Sequence, residues 1–410
     1  MDTFSILNYQ GSKKSLLDFI HSNASNLLND NSTILDIFSG TCCVGYSYKS
    51  AYQVYANDSE YYSYVISKAL LSSKYANMNK VLSSFTPRYC HNILSQRSIF
   101  AERKKDEEIM LEKSDINGLV ELYEKLPTVW NKQIEITSVH PCYELFTTYY
   151  SGSYFGISQA IDIDSIRYAI DGFKGTDIYF AMLASLFFAM KECVFSKDGH
   201  MAQPLSPIKN SSKLLSLRNK NVLKIFMEKF AEFFSDTYVR SSFNNKCFNM
   251  NFEDLINLSE IKNNVNFIYA DPPYTDMQYS RYYHLLNIVA QYNYPKPTEI
   301  NGTFTKGLYV DGRFQSDLSK KSTCLSHLNT LITFAHESKK NLAISFAYPK
   351  DTSEQKTDRY VTDIDSLVHS CKTAFSSGNV EVVSLDYKHS NNRNSEQKKV
   401  VEYLVLCKGS

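Results

Sequence analysis

The residues best suited to chemistry lie in one short stretch, Asp271-Pro272-Pro273-Tyr274, at the end of the apolar run Val265, Phe267, Ile268, Tyr269. Such a run, bounded by polar residues, reads as a buried strand. Each proline fixes its own φ and drives the residue before it towards extended backbone, so Asp271 and the Pro272 carbonyl are expected to be held in one geometry. A carboxylate and a carbonyl side by side can accept both hydrogens of an amino group, and an adjacent aromatic ring can cover the planar system that carries it. That points to a clamp for a nucleobase amine, although a lone Asp-Pro-Pro-Tyr could instead be a strand-ending turn.

A second constellation lies upstream. Ile34-Leu35-Asp36-Ile37-Phe38 reads as a buried strand, followed by the small-residue turn Ser39-Gly40-Thr41-Cys42-Cys43-Val44-Gly45. Strand, glycine turn and helix let backbone approach a nucleotide-like ligand. It is not a Walker A loop, because Gly45 is followed by Tyr46-Ser47 rather than Lys and a hydroxyl residue. Val54-Tyr55-Ala56-Asn57-Asp58 adds a second short strand ending in an acid, where a carboxylate can bind two ribose hydroxyls. Before both, Gly11 in Asn8-Tyr9-Gln10-Gly11-Ser12-Lys13 precedes an amphipathic pattern of Leu16, Leu17, Phe19 and Ile20.

Acid-Pro-Pro-aromatic after a buried strand resembles the catalytic motif of amino-methyltransferases that use S-adenosylmethionine (AdoMet). Asn8-Tyr9 with Gly11 and Lys13, then Asp36-Ile37-Phe38-Ser39-Gly40, Asn57-Asp58, a long insertion and Asp271 to Tyr274 together resemble the alpha group of the D12 class of adenine-specific DNA methyltransferases. The resemblance covers about the first 80 residues and the stretch from about 245 onwards. It implies that Tyr9, Gly11, Lys13, Asp36, Phe38, Ser39, Gly40 and Asp58 surround AdoMet. It also implies that Asp271, Pro272, Pro273 and Tyr274 act on an adenine amine in double-stranded DNA. Two positions depart from the pattern: Cys42 stands where the family usually has a second glycine, and Asn251 where it usually has an acid. Asn251 can still contact the cofactor's adenine, or Glu253 or Asp254 can replace it through a shifted register; the sequence leaves these open.

The expected architecture is a doubly wound α/β methyltransferase sheet, Rossmann-like, with an antiparallel C-terminal hairpin and a mostly helical insertion domain. The catalytic domain would comprise residues 1–80 and 245–410, and residues 81–244 would form a target-recognition insertion. Segment Gly152 to Gly156, Ile161, Ile166, Ile170 and the apolar helix from Ile178 would give the insertion its own core. Charge-rich Phe100 to Leu126 would be a solvated helical face. Leu325 to Ala335 reads as a helix, Leu342 to Ala347 as a strand, and Val380 to Tyr387 with Val400 to Cys407 as the closing pair around a polar tip.

DNA contacts are expected from Tyr279, Ser280, Arg281 and Tyr282 beside the clamp, and from Lys306 and Arg313 in the following loop. Lys209, Lys213 and Arg218 belong to a basic run suited to phosphate contact, though a merely solvated loop explains it as well. The net charge of +1 over 410 residues gives no global pull towards nucleic acid, so contacts must be local. Nine cysteines without any Cys-x-x-Cys pair suggest reduced thiols in the cytoplasm. Neither a zinc spacing, a signal peptide nor a membrane span is expected. A cognate restriction endonuclease or defence-system subunit is a conceivable partner. RNA, protein-glutamine or cytosine-N4 methylation, or a non-catalytic DNA-binding subunit, are the alternatives.

Overall fold

The computed structural model describes residues 4–7, 11–72, 77–126, 142–197, 199–350, 357–389 and 398–409. Its strands are β1 (Thr33–Asp36), β2 (Gln53–Asn57), β3 (Lys246–Phe248), β4 (Phe267–Ala270), β5 (Glu299–Ile300), β6 (Thr303–Phe304), β7 (Asn341–Pro349), β8 (Val380–His389) and β9 (Lys398–Cys407). Seven form one sheet in the order β3-β2-β1-β4-β7-β9-β8, while β5 and β6 pair separately. The pairs β3/β2, β2/β1, β1/β4 and β4/β7 are parallel, and β9 runs antiparallel to both β7 and β8. The tip between β8 and β9 lies outside the described residues.

Every residue of β1 and β4 is buried, as expected for parallel strands covered on both faces. Successive side chains alternate between the faces. Ile34, Val54, Phe267 and Tyr269 join one apolar cluster; Leu35, Tyr55, Ile268 and Ala270 join the other, under the helices Cys324–Glu337 and Ile364–Phe375. Since β1 is flanked by β2 on one side and β4 on the other, the connections leave it in opposite directions. Such a switch point opens a crevice beyond the carboxyl ends of the strands.

The stretch from Met78 to Glu232 contributes helices Met78–Leu94, Ser98–Glu112, Ile116–Glu124, Leu145–Tyr149, Ile157–Ile170, Asp177–Cys193, Ser211–Arg218 and Val222–Glu232. Its core differs from the expectation of an independent one. Tyr154, Phe155, Ile166, Ile170 and the apolar residues of Asp177–Cys193 share a single cluster with Ile34, Val54 and Phe267 of the sheet. The reason is the Asp177–Cys193 helix, which is apolar nearly all round and must be covered on every side; it packs on the Tyr61–Leu71 helix of the core. The Phe100 to Leu126 region does present a solvated face, with Lys105, Glu108, Glu112, Glu121 and Glu124 exposed, but it departs from that at Glu107. Phe100, Glu107, Leu119 and Leu122 are buried, and Glu107 accepts the Ile157 and Ser158 N–H groups at 2.8 and 2.9 Å. That carboxylate satisfies the open donors at the start of the Ile157–Ile170 helix.

Candidate active site

Two buried strands deliver the chemistry to one edge. Asp36 ends β1 and pairs in register with Tyr269 of β4, so Asp271 emerges two residues further along the neighbouring strand. The resulting cleft, partly open to solvent, is lined by Gly11, Lys13, Asp36, Phe38, Ser39, Gly40, Asp58 and Asn251. Asp271, Pro272, Pro273, Tyr274, Tyr279 and Ser280 line it as well. Residues separated by more than two hundred positions therefore face one space. Tyr9 lies outside the described residues.

The cofactor-side turn is held by its acids. Asp36 Oδ2 accepts the Gly45 N–H at 3.0 Å, and Asp58 accepts the N–H groups of Gly40 and Glu60, both at 2.9 Å. Burial pushes the Asp36 carboxyl up to about 7, with Asp271 and Asp58 adding to it and the Gly45 N–H opposing. Asp58 is raised as well, again by burial. Cys42 takes a left-handed conformation, φ 57°, at the start of the Cys43–Tyr48 helix, so the backbone keeps the path a glycine would favour. Its side chain is fully buried and is not among the cleft-lining residues. The substitution therefore leaves the cleft open.

Asn251 lines the cleft, whereas Glu253 pairs with His327 and Asp254 is exposed. Of the three alternatives, only Asn251 reaches the site. Phe38 packs edge-on against Phe252 at 5.4 Å, forming an aromatic wall nearby.

At the clamp, Lys13 Nζ lies 3.1 Å from Asp271 Oδ1 and 2.8 Å from Glu402 Oε1. Ser345 Oγ donates to the same Glu402 oxygen at 2.5 Å. Lys13 thus holds Asp271 Oδ1 as an ion pair, with no further hydrogen-bond donor to that oxygen among the described residues. Burial acts to lower Lys13, but the carboxylates of Asp271 and Glu402 outweigh it and hold the ammonium well above the usual lysine range. Burial pushes Asp271 up to about 6, with Lys13 opposing and Glu402 adding. One cation shared by two anions cannot fully compensate either. Tyr274 is stacked on Tyr360 with centroids 6.3 Å apart, and the Tyr274 to Asp276 backbone is tied to Arg359 and Val361.

The sites expected to meet DNA divide. Tyr279 and Ser280 are in the cleft. Arg281 and Arg313 each lie 5.0 Å from the ring centre of Tyr309; Tyr282 is half-buried, and Lys306, Lys209 and Lys213 are exposed. Arg218 is a correction. It is buried and donates to Tyr123 Oη and to the carbonyls of Ser153 and Tyr154, so its guanidinium is spent on packing. Glu402, Glu60 and Phe314 were not singled out from sequence. Glu402 had a signal, an acid inside the apolar run of β9; Phe314, at the cleft and 45% exposed, had none.

A parallel sheet with a switch-point cleft, an antiparallel strand inserted beside β7 and an acid-Pro-Pro-Tyr turn define a methyltransferase of the amine-modifying type. The chain belongs to the D12 class N6 adenine-specific DNA methyltransferase family, whose sequence model matches residues 9–307. It is 25% identical over 413 residues to the modification methylase LlaI of Lactococcus lactis subsp. lactis, covering 98% of this chain and 55% of that protein. It is 27% identical over 344 residues to the type II methyltransferase M.FokI of Planomicrobium okeanokoites, covering 80% and 43%. With the type II methyltransferase M.NlaIII of Neisseria lactamica the identity is 26% over 300 residues, covering 70% of each. The chain thus spans about half the length of the first two relatives. Among the described residues no helix is long and apolar enough to cross a membrane.

Proposed function

We propose that this protein transfers the methyl group of AdoMet to N6 of an adenine flipped out of double-stranded DNA, as the cytoplasmic modification enzyme of a restriction–modification system with a cognate nuclease. The observation that carries this reading is the Asp271 carboxylate, steadied by Lys13 and set beside Pro272 and Tyr274 in the same cleft as the glycine turn. The cleft also fits the cofactor by charge: Asp36, Asp58 and Glu60 line it, while its lysine, Lys13, is paired with Asp271 and Glu402, a set that favours a cation such as a sulfonium. Gly11, Lys13, Asp36, Phe38, Ser39, Gly40, Asp58 and Asn251 would hold it. Bound there, AdoMet supplies an electrophilic methyl group.

The chain's own residues do the rest. Adenine's amine is a weak nucleophile because its lone pair is delocalised. Asp271 and the Pro272 carbonyl accept its hydrogens and favour the pyramidal geometry in which that lone pair is free to attack. Tyr274 covers the ring. Holding both reactants in line contributes several kcal/mol, which is why two consecutive prolines belong at this point. Flipping the base costs a few kcal/mol, offset by contacts from Tyr279 to Tyr282, Arg313 and Lys306 and from exposed lysines of residues 81–244, read as the target-recognition region.

Long-read detection of modified bases in DNA from cells expressing the chain, beside an Asp271→Ala control, tests the proposal. N6-methyladenine in a defined motif, absent from the control, is the expected result. No modified adenine with the protein folded and AdoMet present would reject it.

A further inference from the structure

The chain of buried charges behind the clamp extends further than the clamp itself requires. Lys13 precedes the first α-helix, Asp271 follows β4, and Glu402 sits on β9, an antiparallel strand that contributes nothing to the cleft lining itself. Glu402 is 3% exposed and faces Ala347 of β7 and Leu385 of β8. A carboxylate there has a desolvation cost that an apolar residue would avoid. Its oxygen is aimed, since Ser345 and Lys13 converge on it at 2.5 and 2.8 Å.

We propose that Glu402 is a positioning residue of the clamp: it anchors Lys13 against Asp271 and, by its own charge, keeps Asp271 able to take the proton that the amine must release. The inference rests on the function proposed above. As the new N–C bond forms and the S–C bond breaks, the electron pair of the latter stays on sulfur and the amine nitrogen becomes cationic. One of its protons passes to Asp271, and the protonated carboxyl returns it to water when product leaves. A lone Lys13 beside Asp271 would make that carboxylate a poor base. Glu402 takes up part of the ammonium's field and adds repulsion, so Asp271 stays receptive. The other groups facing Asp271 are Tyr269 of β4, Tyr274, Asp36 of β1, Tyr279 and Cys43; of these only Asp36 is held near neutrality, pushed up to about 7, while burial pushes the Cys43 thiol up to about 11.

The test follows the Asp271 carboxyl directly. In protein labelled with carbon-13 at aspartate carboxyls, its resonance, identified by its loss in Asp271→Asn, is titrated in wild type, Glu402→Asp and Glu402→Gln. The midpoint should fall in that order, the glutamine variant binding the proton about tenfold more weakly. The aspartate variant still decides the matter if the glutamine variant does not fold. Rates on an adenine-containing duplex should follow the same order, with kcat lowered about tenfold in Glu402→Gln and KM for DNA unmoved. Equal midpoints across the series, or equal kcat with shifted midpoints, would overturn the role of Glu402. Wild-type protein that leaves adenine unmethylated would instead sink the proposed function, and the proton step with it.

Discussion

At the scale of single residues, the site's demands can be separated. Asp271→Ala should lower methylation by roughly a hundredfold or more while leaving AdoMet affinity within a few-fold in calorimetry, because Gly40, Asp58 and Asn251 are untouched. Comparable turnover would reject the clamp. Cys42 poses a different question, since its left-handed backbone costs a non-glycine residue about 1 kcal/mol and its buried side chain returns a similar amount. Cys42→Gly should therefore change stability by less than about 1 kcal/mol, and Cys42→Val, β-branched at a positive φ, should cost about 2 kcal/mol or more. Denaturant melts of both variants check this pair. Phe314 is an exposed ring at the cleft. If it fills the gap left by the flipped base, Phe314→Ala should weaken turnover on a paired target more than on a mismatched one, whose base is already easier to extrude.

At the scale of elements, strands were more legible than their supports. Asp36, Asp58 and Asp271 each end a short apolar run, so both the strand and the place where its chemistry begins could be read locally. Arg218 and Glu107 could not. One stood in a basic stretch and the other in a charged helix, and what buries them is contact with Tyr123, Ser153, Ile157 and Ser158, partners remote in sequence. Charge patterning reports composition, not which turn of a helix faces inward. The capping role of Glu107 predicts that Glu107→Ala loses about 1–3 kcal/mol of stability with kcat unchanged in the folded fraction, measured by thermal melts and rates on the same preparation.

At the scale of the whole molecule, the helices between Met78 and Glu232 share a core with the sheet, and the loop after Cys193 touches the flank of the Asp271 turn. Met201 donates its N–H to the Tyr282 carbonyl at 2.8 Å, and its own carbonyl lies 2.9 Å from His284 Nε2. Calorimetry should therefore show one unfolding transition rather than separate ones for residues 81–244 and the remainder; two resolved transitions would contradict the shared core. The buried acids add a pH dependence. Asp36 and Glu60 are both pushed up to about 7 by burial, so folding favours their protonated forms. Their contribution to stability is present at low pH and is lost as pH rises from the ordinary carboxylate range through about 7. A bound cation reverses that preference by stabilising the ionised forms. The rise in Tm on adding AdoMet should accordingly be larger at pH 8 than at pH 6, and an equal rise at both would exclude these acids from cofactor binding.

The contact between Lys13 and Glu402 spans 389 positions, and that span also sets an order in time. Helices close over short loops and return early when a chain refolds, whereas partners so distant meet only after most of the sheet has found its register. Catalytic competence is then the last property the molecule recovers, and helical signal alone will overstate how much of a refolding population can modify DNA.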